Sequence, residues 1–86
     1  MSKIEIYSTI ACPYCVSAKD LLSRKGVSFT EFRIEGNPEL MAEAKKRSGG
    51  RMTVPQIFID DKHVGGYDEL NALDRAGKLD QILGLG

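Results

Sequence analysis

The chain has 86 residues and balances 12 Lys and Arg against 12 Asp and Glu, so its formal charge is zero. A neutral chain of this size is read as one domain, residues 1–86, that buries roughly 60% of its unfolded surface on its own core. The absence of net charge argues against nucleic acid or an anionic membrane as partner. Met1-Ser2-Lys3 passes directly into Ile4-Glu5-Ile6-Tyr7 with no apolar run suited to a signal peptide or a membrane span, so a cytoplasmic location is expected.

In chain order the pattern reads β-α-β-α-β-β-α. Lys3–Tyr7 alternates as a short strand, with Ile4 and Ile6 on one face. Pro13 suits a first helical position, and Cys15, Ala18, Leu21, Leu22 and Lys25 recur at helical spacing until Gly26. Val27–Ile34 is rich in β-branched and aromatic residues, but its apolar phase slips between Phe29 and Phe32. That slip implies a bulge or a strand covered on both faces.

Asn37-Pro38 reads as a cap and first turn, with Leu40, Met41 and Ala44 as the buried stripe of a helix ended by Gly49-Gly50. Lys45-Lys46-Arg47 reads as solvated charge suited to a helix C-terminus. Gln56–Ile59 and Lys62–Val64 flank Asp60-Asp61 as a tight hairpin, and Gly65-Gly66 precedes a last helix carrying Leu70 and Leu73. His63, the sole histidine, reads as a surface residue.

The chemistry lies in Cys12-Pro13-Tyr14-Cys15, which holds both cysteines of the chain. A strand running into a helix start puts Cys12 at the positive end of the helix, where unpaired N–H groups favour an anion, so Cys12 is expected as the thiolate nucleophile. Cys15, one turn further in and facing the core, is expected to hold its proton more tightly and to act as the resolving thiol. A purely structural disulfide over so short a loop is worth about 2 kcal/mol at most. A closed zinc site needs four ligands, more than two cysteines and one distant histidine supply.

Two further segments complete a candidate site. Pro55 in Thr53-Val54-Pro55 either occupies the first position of a strand or follows a cis bond that turns the N–H and C=O of Val54 toward an extended peptide beside Cys12. Gly65-Gly66-Tyr67-Asp68 is either a turn with Asp68 as helix cap or a bare backbone approach for a ligand. In the second case the N–H groups of Tyr67 and Asp68 hold a carboxylate and the Asp68 side chain pairs with an ammonium, both of which a γ-glutamyl group carries. Arg51 is placed to meet a second carboxylate, or is an idle loop cation.

Cys-Pro-Tyr-Cys, Thr-Val-Pro and Gly-Gly-x-Asp, in this order over essentially the whole chain, resemble the dithiol glutaredoxins of bacteria. The resemblance implies an α/β thioredoxin-like fold. Its four-stranded mixed sheet is ordered 2-1-3-4 and flanked by three or four helices, the first and third on one face and the second on the other. It implies a monomer that uses glutathione as reducing co-substrate, with no tightly bound cofactor or metal, and acts on glutathionylated and disulfide-containing proteins. On the matching positions Cys12 is the nucleophile and Cys15 its partner. Tyr14, Val54, Gly66, Tyr67 and Asp68 line the glutathione groove, with Pro55 cis, and Arg51 and Thr53 join them as candidate glutathione-binding residues. Thr9 stands where the family often has a lysine, which leaves more of the stabilisation of Cys12 to the helix end. Rival readings are an iron–sulfur dimer bridged through Cys12 and glutathione, and a redoxin served by thioredoxin reductase.

Overall fold

Backbone chemistry sets where each element starts and stops. The computed structural model describes residues 2–51 and 53–85. β1 (Ile4–Ser8) leads through Cys12 into α1 (Pro13–Arg24), which starts on Pro13 as expected and is followed by Gly26 at φ +73°. β2 (Thr30–Arg33) leads to α2 (Pro38–Arg47), capped by Asn37, whose Oδ1 accepts the Leu40 N–H over 3.1 Å. β3 (Gln56–Ile59) and β4 (Lys62–Gly65) enclose Asp60 and Asp61, both at positive φ as a type I′ turn requires. α3 (Tyr67–Arg75) and a short α4 (Leu79–Ile82) follow.

The sheet order is β2-β1-β3-β4, with β1 parallel to β2 and antiparallel to β3, and β3 antiparallel to β4. Alternation along the central strands sends side chains to two cores. Ile4, Ile6, Ile57 and Ile59 pack with Ala18, Leu21 and Leu22 of α1, Leu70 of α3 and Leu79 of α4. Tyr7 and Phe58 face the other way and pack with Ile34 and Ala44, joined by Phe32 and Leu40. α1 and α3 thus cover one face and α2 the other, the arrangement that the family resemblance implied.

Four details depart from the sequence reading. β2 begins at Thr30, and the slip between Phe29 and Phe32 reflects burial on both faces: Phe29 packs against the first core and Phe32 against the second. The bulge lies in the β3–β4 pair instead, where the register shifts between Ile57 and Phe58. Met41 is 42% exposed, so the buried stripe of α2 is Ala44 with Leu40 beside it. Arg47 is not a solvated end charge, since its guanidinium lies 4.1 Å from the Phe58 ring centroid and bonds Glu5 at 2.9 Å and the Tyr7 hydroxyl at 2.8 Å. α4 has no counterpart in the chain-order pattern and is the fourth of the three or four helices that the resemblance implied. Among the described residues no helix is long and apolar enough to cross a membrane.

Candidate active site

Cys12 is the N-cap residue of α1, in extended conformation at φ −130°, and its sulfur accepts the Cys15 N–H over 3.1 Å. A cap sulfur of this kind takes the place of the oxygen that usually satisfies an orphan helix donor. The Cys12 thiol also donates to the Val54 carbonyl across 3.7 Å, which sets it against the Thr53–Val54–Pro55 turn. Both cysteines are free.

Both cysteines are buried, and Cys15 is the deeper of the two. It retains 1% exposure against 9% for Cys12, because its position on α1 belongs to the buried face with Ala18 and Leu22. Burial, reinforced by the hydrogen bond with Cys12, pushes the Cys15 thiol up to about 12. The Thr9 backbone and the Lys19 ammonium oppose that shift without overcoming it. A sulfur so placed attacks only a disulfide brought directly to it, and Cys12 is the atom one turn away that can form one.

Beside Cys12 lies a groove of about 270 Å³ lined by Tyr14, Arg51, Thr53, Val54, Pro55, Gly66, Tyr67, Asp68 and Glu69. Three separate stretches of chain, the α1 start, the β3 approach and the α3 start, therefore meet at one place. The Val54–Pro55 bond is cis. The Tyr14 and Tyr67 rings stack with centroids 6.2 Å apart, joining the first stretch to the last.

Gly66, not Asp68, is the N-cap of α3, so Asp68 is left exposed in the first turn. Glu69 was missed by the sequence reading. Its Oε1 accepts the Gly66 N–H over 2.7 Å and the Arg51 Nη1–H over 3.0 Å, tying the loop after α2 to the start of α3. The Gly66 N–H and then Arg51 hold its carboxyl below the usual range. The spacing Gly66-x-x-Glu69, a cap with an acid three residues on, was the available signal. Arg51 is thus neither idle nor unpartnered.

A glutaredoxin family model matches residues 4–64. Glutaredoxin 3 of Escherichia coli strain K12 is 58% identical over 83 residues, spanning 96% of this chain and 99% of that protein. The solution structure of glutaredoxin from Brucella melitensis superposes with a TM-score of 0.83 at 52% identity, over 98% of this chain and 90% of that one. A crystal structure of a buckwheat glutaredoxin–glutathione complex gives a TM-score of 0.87 at 28% identity, over 96% and 77%. Identity this high along nearly the full length, on a thioredoxin-like sheet that presents the cysteine pair at a helix start, shows that the chain belongs to the glutaredoxin family of thiol–disulfide oxidoreductases.

Proposed function

We propose that this enzyme uses glutathione as its reducing co-substrate and holds it in the groove beside Cys12. The observation that carries the reading is the convergence of Tyr14, Thr53, Val54, Pro55, Gly66, Tyr67 and Asp68 on one groove whose wall also bonds the Cys12 sulfur. The N–H groups opening α3 suit the α-carboxylate of a γ-glutamyl group and Asp68 suits its ammonium. Val54 offers backbone hydrogen bonds to the extended peptide, and Arg51 faces its far carboxylate once that group competes with Glu69.

In the one-cysteine route the Cys12 thiolate attacks the glutathione sulfur of a protein–glutathione disulfide. A Cys12–glutathione disulfide forms, and the protein thiolate leaves and takes up a proton. A second glutathione thiolate then attacks the glutathione sulfur held on Cys12, which releases Cys12 and oxidised glutathione. In the two-cysteine route Cys12 attacks a protein disulfide and Cys15 displaces the substrate, leaving Cys12–Cys15 oxidised until two glutathione molecules reduce it. Both routes conserve two electrons per disulfide. A cytoplasmic monomer acting on glutathionylated and disulfide-containing proteins completes the proposal.

The test is turnover of a glutathionylated peptide by the wild type and Cys12→Ser, with either glutathione and its reductase or thioredoxin reductase as the electron source. The proposal expects turnover only with glutathione and a loss of at least about 100-fold in Cys12→Ser. Equal turnover with thioredoxin reductase would replace it with the rival redoxin reading.

A further inference from the structure

Gln56 is a buried amide, 1% exposed, at the first position of β3 immediately after Pro55. An amide at such depth is costly unless its polar atoms are bonded. Its Nε2 donates to both the Thr53 carbonyl, at 3.0 Å, and the Thr53 Oγ1, at 3.2 Å. Its Oε1 is then left facing His63, whose Nε2 lies 2.6 Å away. The His63 ring therefore carries its proton on Nε2, as it does in both the neutral Nε2–H tautomer and the charged form, so the contact outlasts titration of the ring.

Strand register explains why these two side chains meet. Gln56 and Phe58 share one face of β3, and His63 of β4 is the partner of Phe58. The His63 ring lies against Phe58 with centroids 5.0 Å apart, and its edge reaches diagonally to Gln56. One end of the chain of contacts is thus anchored on a core aromatic, and the other grips both oxygens of Thr53.

We propose that Gln56 and His63 are positioning residues that brace the Thr53–Val54 wall of the groove from behind. The inference rests on the reading of that groove as the glutathione site. Loops bordering a site are ordinarily its most mobile parts, and a wall that shifts by an ångström misaligns the disulfide presented to Cys12. Neither residue touches the substrate; both act through Thr53.

The test compares steady-state turnover of a glutathionylated peptide by His63→Leu, His63→Gln, Gln56→Met and Asp68→Asn. His63→Leu leaves the Gln56 carbonyl unpaired and is expected to raise KM about five- to tenfold with kcat changed less than about twofold. His63→Gln restores an N–H donor at similar reach and is expected to return KM to within about twofold of wild type. Gln56→Met conserves volume, is expected to reproduce the His63→Leu defect, and decides the matter if His63→Leu does not fold. The rate of Cys12 alkylation without glutathione should change by less than about twofold in the folded His63 and Gln56 variants, because the Cys15 N–H still holds the sulfur and only its contact with Val54 is loosened. A fall in melting temperature with no change in KM would overturn the proposal, as would failure of His63→Gln to rescue. Asp68→Asn separates the two readings: if it raises KM and the relay variants do not, the relay alone is wrong, and if it leaves KM unchanged the groove assignment fails.

Discussion

The Cys15 N–H points at the Cys12 sulfur from 3.1 Å while the Cys15 sulfur itself is buried behind it. In the proposed mechanism one residue therefore plays two parts: its backbone N–H faces the attacking sulfur, and its side chain lies in the core, ready to attack that sulfur once it is oxidised. The asymmetry follows from a helix start, where the cap side chain folds back onto the orphan N–H groups and the third helical residue turns into the core.

A division between the two routes is the first consequence. Cys15→Ser should keep deglutathionylation within about threefold of wild type, because that route uses one sulfur, while reduction of a protein disulfide falls at least about 100-fold. Parallel assays on a glutathionylated peptide and on a disulfide-containing protein read both numbers. Loss of both activities together would contradict the assignment.

The raised Cys15 thiol has a consequence for stability. A group whose folded value lies above its unfolded one, here about 12 against 9.0, gives stability that is complete below pH 9 and is lost as pH rises toward 12. Denaturant melts of the reduced protein from pH 8 to 11 should show falling stability, and Cys15→Ala should show a weaker decline over the same range. Parallel declines would show that other groups set the alkaline limit.

Glu31 acts at the acid end. Its carboxylate accepts from Lys19 Nζ at 2.9 Å and from the buried Ser8 hydroxyl, which hold it below its usual range, the lysine first. A depressed carboxylate contributes stability above about pH 4.5 that is lost as pH falls through its lowered folded value. Glu31→Gln should therefore cost about 1 kcal/mol at pH 7, and the difference from wild type should close near pH 3. Urea denaturation at the two pH values measures it.

Gly65 is held in a conformation that excludes a side chain. It sits at φ +121°, and an added Cβ would run into the Glu69 carboxylate that bonds Gly66 and Arg51. Gly65→Ala should cost about 1–3 kcal/mol and loosen the Arg51–Glu69 tie. Thermal melts read the first effect. The second should appear as a KM for a glutathionylated peptide that no longer responds to Glu69→Gln.

Local chemistry with one strong solution was legible before the structure: Pro13 and Pro38 at helix starts, Asn37 as a cap, Asp60-Asp61 as a turn, and the three motifs that border the groove. What escaped depends on long-range contact. Lys45, Lys46 and Arg47 are alike in sequence, yet of the three only Arg47 lies over Phe58 and bonds Glu5 across the sheet. His63 is exposed on β4, as read from the sequence, but its bond to Gln56 appears only once the β3–β4 register is formed, and the grip of the buried Gln56 on Thr53 has no local signal. α4 offers four helical residues and too little periodicity to announce itself. Glu69 had a readable spacing, but its tie to Arg51, 18 residues upstream, did not.

The two sulfurs have different jobs in the proposed mechanism, and timed alkylation tells them apart. The reduced protein is treated with a limiting amount of iodoacetamide at pH 7 and the sites are mapped by mass spectrometry. Modification should appear on Cys12 with Cys15 untouched, and activity should fall in step with it. Modification of Cys15 as fast as Cys12, or activity surviving full modification of Cys12, would contradict the account.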